Sequence, residues 1–213
     1  QWIRRARGSD EPGARNPPHL SAAPRPGREG REDVVKADIT LVLGGARSGK
    51  SDVAERLARA AGTPITYVAT GPEPEDDADW AARVARHRER RPEEWVTLEV
   101  GAADDLGAVL DSLTGSVLLD SLGTWVAGLP DLGAGGREGL ALIDGLVARR
   151  SSGHRTIVVS EEVGMGVHPS SSAGRVFRDA LGTLNRELGE VADSVLLVVA
   201  GRVLSLDDPG AAP

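Results

Sequence analysis

This sequence predicts an α/β fold, a mostly parallel sheet with helices on both faces and one antiparallel edge strand. Three observations carry the prediction. Six short apolar runs rich in Val, Ile and Leu recur from residue 39 onward, and stretches with helical spacing separate most of them. A seventh apolar run follows the sixth across the tight turn at Gly201, a connection too short for a parallel crossover.

The elements can be justified in order. I-T-L-V-L (Ile39 to Leu43), I-T-Y-V-A (Ile65 to Ala69), W-V-T-L-E (Trp95 to Glu99), S-V-L-L-D (Ser116 to Asp120), T-I-V-V-S (Thr156 to Ser160) and S-V-L-L-V-V-A (Ser194 to Ala200) are too uniformly apolar for one wet face, which suits strands buried on both sides. Helices are expected near residues 52–61, 78–90, 103–113, 137–150 and 172–190. R-V-L-S-L (Arg202 to Leu206) is the expected antiparallel edge strand. No internal repeat is present.

G-G-A-R-S-G-K-S, Gly44 to Ser51, joins the first strand to the first helix and fits the G-x-x-x-x-G-K-[ST] phosphate-binding loop, so the fold class narrows to P-loop NTPase-like. Glycine lets backbone N–H groups turn inward, and the helix N-terminus that follows adds partial positive charge. The residues concerned are Gly44, Gly45, Ala46, Arg47, Ser48, Gly49, Lys50 and Ser51. Lys50 is expected to reach the β- and γ-phosphates, and the Ser51 hydroxyl to face Mg²⁺. A plain small-residue turn is the alternative, which the flanking strand and helix disfavour. The chain has only two lysines, Lys36 and Lys50, in a sequence that otherwise uses arginine for positive charge. One of them falls where a slim ammonium is needed.

In an open α/β sheet, ligands collect beyond the carboxyl ends of the strands. Asp120 closes a buried run as a Mg²⁺-holding acid does, although a turn or N-cap aspartate reads the same way. His87 lies among Arg83, Arg86, Arg88, Arg90 and Arg91. Positive neighbours favour a neutral, nucleophilic imidazole, while a solvated basic helix end would account for the same pattern. Glu161 and Glu162 follow the fifth strand, and successive side chains of extended backbone point apart, so they are not expected to act as a carboxylate pair. The loop through Gly164, Met165, Gly166, His168 and Pro169 has the composition of a lid or of an ordinary connection.

Composition sets the outer limits. The 213 residues suffice for one domain, and aromatics make up only 3%, so the core must be aliphatic. With no cysteine, disulfides, thiolate metal sites and cysteine nucleophiles are excluded, and a cytoplasmic setting is expected. A net charge of −7 argues against a general nucleic-acid binder, and no apolar run approaches a membrane span. Residues 1–36, with eight basic and five acidic residues and no apolar periodicity, are expected to be a disordered tail. The folded domain is expected over 37–208 and a short tail over 209–213.

Taken together, L-V-L-G-G-A-R-S-G-K-S, Y-V-A-T, R-V-A-R-H-R-E-R-R-P-E-E-W-V-T-L-E, V-L-L-D-S-L-G-T-W-V and E-V-G-M-G-V-H-P resemble one family in order and content. R-V-F-R-D-A-L-G-T-L-N-R-E-L and V-L-L-V-V-A-G continue the match. It is the family of bifunctional adenosylcobinamide kinases/adenosylcobinamide-phosphate guanylyltransferases, and the likeness runs from about Ile39 to Leu206. The resemblance implies catalytic roles for Lys50 and His87, with His87 becoming guanylylated. It implies a nucleotide site completed by Ala69, Thr70, Gly71, Arg88, Glu89, Arg90, Arg91, Glu99 and Asp120, with Mg²⁺ at Ser51 and Asp120. Its implied substrates are ATP, GTP, adenosylcobinamide and adenosylcobinamide phosphate, and its implied assembly is a homotrimer. This chain departs from the family pattern where Glu161 replaces the asparagine of N-E-V-G, in D-S-L-G-T-W, and in G-V-H-P. A single-function small-molecule kinase, or a nucleotide-dependent switch, would share the phosphate loop alone.

Overall fold

A computed structural model describes residues 37–62, 64–71, 78–130 and 135–207. The expected tails over 1–36 and 209–213 lie outside the described residues. Seven strands form one sheet in the order β3-β2-β4-β5-β1-β6-β7. They are β1 (Ile39–Gly44), β2 (Ile65–Thr70), β3 (Val96–Val100), β4 (Ser116–Asp120), β5 (Thr156–Glu161), β6 (Ser194–Val199) and β7 (Arg202–Leu206). Every pairing is parallel except β6 with β7. The α/β class, the parallel sheet and the antiparallel edge are therefore as the sequence predicts. Ala200 and Gly201 both take positive φ, 50° and 71°, which is the geometry of a two-residue hairpin turn and stops β6 one residue short of the expected end.

The helices are α1 (Lys50–Ala60), α2 (Ala78–Glu89), α3 (Leu106–Ser112), α4 (Leu122–Gly128), α5 (Gly135–Ser151) and α6 (Ser172–Val191). One face of the sheet packs Val42, Tyr67, Leu118, Ile157 and Val159 against Val53, Ala54 and Ala58 of α1. The other face packs Leu41, Val68, Leu119 and Val158 against apolar side chains of α3, α4, α5 and α6. Helices thus cover both faces. The sequence reading missed α4: seven residues with two glycines, mostly buried, are too short to show a clear amphipathic period. No helix among the described residues is long and apolar enough to cross a membrane.

Arg149 is the largest fully buried side chain and meets no carboxylate in the core. Its Nε donates to Thr156 Oγ1 at 3.0 Å and its Nη atoms donate to the carbonyls of Leu110 at 3.0 Å, Gly115 at 2.9 Å and Leu113. It closes the end of α3 and holds that turn to β5, supplying donors to carbonyls that a helix end leaves unmatched. Burial lowers its pKa to about 10, only partly opposed by the charge of Asp111. Replacing Arg149 with Met keeps the apolar stem and abandons the carbonyls. A loss of about 3 kcal/mol or more is expected in chemical denaturation, as for other buried charged hydrogen-bond networks.

Candidate nucleotide site

The phosphate loop is shaped by its neighbours. Gly49 sits at φ 91° immediately before α1, a conformation that favours glycine, and the chain enters the helix through Val53 N–H to Gly49 C=O at 3.1 Å. From the far side, Gly201 of the β6–β7 turn donates its N–H to Ser48 C=O at 2.8 Å. A Cβ on Gly44 would come within 2.8 Å of Val198 C=O, so the loop starts where backbone crosses backbone. Ala46 and Arg47 are exposed, Gly45, Ser48, Gly49 and Ser51 are half-buried, and Lys50 is buried.

Lys50 does not stand alone. Its Nζ lies 3.2 Å from Glu161 Oε1, and Glu161 Oε2 accepts the N–H of Gly123 at 2.9 Å. Sheet register explains the encounter, because Gly44 of β1 is paired with Glu161 of β5. α4 brings Gly123 close enough that a Cβ there would stand 2.8 Å from the Glu161 carboxyl carbon. Glu162 faces elsewhere, accepting the N–H of Gly164 at 2.5 Å and of Met165 at 3.1 Å, so the adjacent glutamates do separate work as expected. In the loop beyond, His168 Nδ1 meets Arg178 at 2.8 Å.

The end of β4 holds the second cluster. Asp120 Oδ2 accepts the Tyr67 hydroxyl at 2.7 Å and lies 3.5 Å from His87 Nδ1 on α2. Burial pushes the Asp120 carboxyl up, but the bonds from His87 and Tyr67 and the charges of His87 and Lys50 outweigh it and hold the group below the usual carboxylate range. Burial and the Asp120 charge together raise Tyr67 far above the ordinary phenol, so its hydroxyl is a permanent donor. Ala69 pairs with Asp120 across β2 and β4. The Thr70 hydroxyl is buried and donates to Ser121 C=O at 2.5 Å, tying β2 to the start of α4 rather than facing outward.

The arginines after His87 are engaged with protein. Arg88 pairs with Glu99, both about half exposed. Arg90 pairs with Asp52 and reaches Glu55 at 3.4 Å, joining the end of α2 to α1. Burial raises the Glu55 pKa, against the pull of Arg90. Arg91 lies over the Tyr67 ring, 3.6 Å from its centroid. Glu89 is exposed and Gly71 lies just past β2.

Among the described residues no group of three His, Cys, Asp or Glu side chains could hold a metal by itself. The Ser51 hydroxyl and the anionic Asp120 carry hard-oxygen donors, the donor chemistry that a divalent cation such as Mg²⁺ would take alongside phosphate and water.

The residues that sequence reasoning passed over are Tyr67, Gly123 and Thr124, whose hydroxyl donates to Thr70 C=O. Tyr67 left one signal: a lone tyrosine inside a buried strand must find a partner for its hydroxyl.

A glycine loop between a parallel strand and a helix, a buried lysine on that helix and an anionic acid ending another strand define a P-loop nucleotide-binding α/β protein. Residues 40–206 match the model of the cobinamide kinase / cobinamide phosphate guanyltransferase family, and the chain belongs to that family. It is 38% identical over 174 residues, 78% of this chain and 95% of the relative, to the bifunctional adenosylcobalamin biosynthesis protein CobP of Pseudomonas aeruginosa. It is 36% identical over 177 residues to the bifunctional adenosylcobalamin biosynthesis protein CobU of Escherichia coli, covering 76% of this chain and 96% of the relative. For CobU of Salmonella typhimurium the figures are 34% over 178 residues, with the same two shares.

Glu161 neutralises the lysine that a triphosphate must recruit. Glu161→Gln preserves the length that reaches Gly123 and removes the competing charge, so nucleotide affinity is expected to rise by about five- to tenfold in calorimetric titration. Weaker binding would show that the carboxylate assists the nucleotide.

Proposed function

We propose that this chain phosphorylates the aminopropanol hydroxyl of adenosylcobinamide and then transfers GMP from GTP to the resulting phosphate, giving adenosylcobinamide-GDP. The observation that carries the reading is that His87 Nδ1 lies 3.5 Å from Asp120 at the carboxyl end of β4, the same end of the parallel sheet from which the phosphate loop with Lys50 leaves β1. Lys50 stands on the phosphate loop and its charge acts on Asp120, the same carboxylate that lies beside His87. Family membership and the length of the match to bifunctional relatives support both halves of the reaction.

In the kinase half, ATP or GTP lies on the backbone of Gly44 to Ser51, and Lys50 exchanges Glu161 for the β- and γ-phosphates. The acceptor hydroxyl oxygen bonds to the γ-phosphorus as the bond to the leaving diphosphate breaks. Mg²⁺, held by Ser51 and Asp120, would supply charge neutralisation of the phosphates. In the transferase half, an imidazole nitrogen of His87 attacks the α-phosphorus of GTP and pyrophosphate leaves. An oxygen of adenosylcobinamide phosphate then takes the guanylyl group and the N–P bond breaks. Two displacements replace one between two anions. The remaining nucleotide contacts are assigned to Ala69, Thr70, Gly71, Arg88, Glu89, Arg90, Arg91 and Glu99. For the arginines this requires exchange of their present partners. The working assembly is a homotrimer.

Incubation with adenosylcobinamide and GTP, followed by mass spectrometry, tests the reading directly: adenosylcobinamide-GDP is expected, and its absence would refute it. GTP labelled at the α-phosphate should leave an acid-labile, alkali-stable mark on the protein, whereas γ-label should not stay. His87→Ala is expected to lose the mark and the transferase while keeping appreciable kinase activity. Lys50→Ala is expected to lose both activities, with about 2–4 kcal/mol less transition-state stabilisation. Full transferase turnover in Lys50→Ala would mean the two reactions do not share the loop.

A further inference from the structure

We propose that Tyr67, acting through Asp120, is the positioning residue that fixes the His87 ring for guanylyl transfer and makes Nε2 the nitrogen that takes the GMP. The inference rests on the reading of His87 as nucleophile and adds the atom and the device that selects it.

Tyr67 is 1% exposed, and its hydroxyl donates to Asp120 Oδ2 at 2.7 Å. That same oxygen faces His87 Nδ1 at 3.5 Å, a long contact of the kind that tightens when substrate binds. The phenol itself is held by its neighbours. The Arg91 guanidinium lies over its face at 3.6 Å, and the Trp95 ring stands 6.5 Å away at a 30° tilt. A carboxylate at a strand end could otherwise rotate, and the ring it orients would rotate with it. A donor packed beneath Arg91 and beside Trp95 removes that freedom.

The chemistry follows from which nitrogen faces Asp120. In the neutral ring the carboxylate favours the proton on Nδ1, which leaves the lone pair on Nε2. Nε2 forms the bond to the α-phosphorus, and the pair of the broken P–O bond leaves with pyrophosphate. The proton stays on Nδ1, so the ring becomes cationic opposite Asp120. When an oxygen of the acceptor phosphate attacks the phosphorus, the N–P pair returns to Nε2 and the neutral ring is restored. No proton crosses in either step. The carboxylate therefore stabilises the cationic ring as it forms, and the proton kept on Nδ1 lets the ring leave as neutral imidazole.

Two measurements test this. With ¹⁵N-labelled histidine, long-range ¹H–¹⁵N and ³¹P spectra of the GTP-treated wild-type protein should place the N–P bond on Nε2. Tyr67→Phe keeps the ring and its stacking but not the donor. Its first-order rate of α-label incorporation at saturating GTP should fall about tenfold, the effect of one hydrogen bond to a charged group, with the half-saturating GTP concentration changed by no more than about twofold. A purely packing role would lower the melting temperature and leave that rate constant alone. Linkage at Nδ1, or loading of the variant at the wild-type rate constant, overturns the inference. A wild-type protein that takes no α-label overturns the reading of His87 beneath it, and the two failures are told apart by whether any label is present.

Discussion

The anionic Asp120 at the end of β4 is the point on which the site depends. Its carboxylate is nearly out of water, and burial alone pushes its pKa up. It remains an acceptor because Tyr67 and His87 are aimed at it and the charge of Lys50 acts on it from farther off. Those three groups come from β2, α2 and the phosphate loop, segments that share no contact in sequence. One buried charge thus fixes how a strand edge, a helix end and a loop stand relative to each other. Such a charge weakens stability unless every partner is in place, so the same packing that tolerates it also specifies it.

Among the described side chains, α2 is tied to this arrangement by polar contacts and contributes none to the two apolar clusters. Arg90 links it to Asp52 and Glu55 of α1, Arg88 reaches Glu99 of β3, and Arg91 lies on Tyr67. Pairs with half-exposed members contribute little stability each and exchange readily for other anions. A triphosphate is such an anion. The helix that carries His87 is therefore fastened by the kind of contact a nucleotide can replace, whereas the sheet and α1 are fastened by a core it cannot.

Much of this was legible in the sequence, and the reason is local. The phosphate loop is a contiguous motif whose strand and helix neighbours are visible as period and composition, and the seven strands announce themselves as apolar runs. Asp120 and His87 could be singled out one at a time, but nothing in a one-dimensional pattern says that α2 carries His87 to the end of β4. The arginines read as a positive surround for the imidazole, while the group 3.5 Å from His87 is a carboxylate. Arg149 gave no sign at all. A charged residue near a helix end looks like a dipole partner, and only the fold shows the five acceptors it serves.

Glu161 shows most sharply why residue type and residue role part company. From sequence, a carboxylate where the family carries an amide stands as repulsion against bound phosphate. In the fold it is anchored through Gly123 and neutralised by the buried Lys50, which would otherwise hold an unpaired ammonium between two strands. The pair satisfies the ammonium, and on the proposed reading it is the contact that a nucleotide would break. Phosphate would offer Lys50 more negative charge than one carboxylate does, which would favour the exchange. The carboxylate would then face phosphate with its cation drawn away. The Gly123 N–H, at the first turn of α4, is the contact left to hold it in place and to favour its charge. An amide at this position would need neither the lysine nor the helix end.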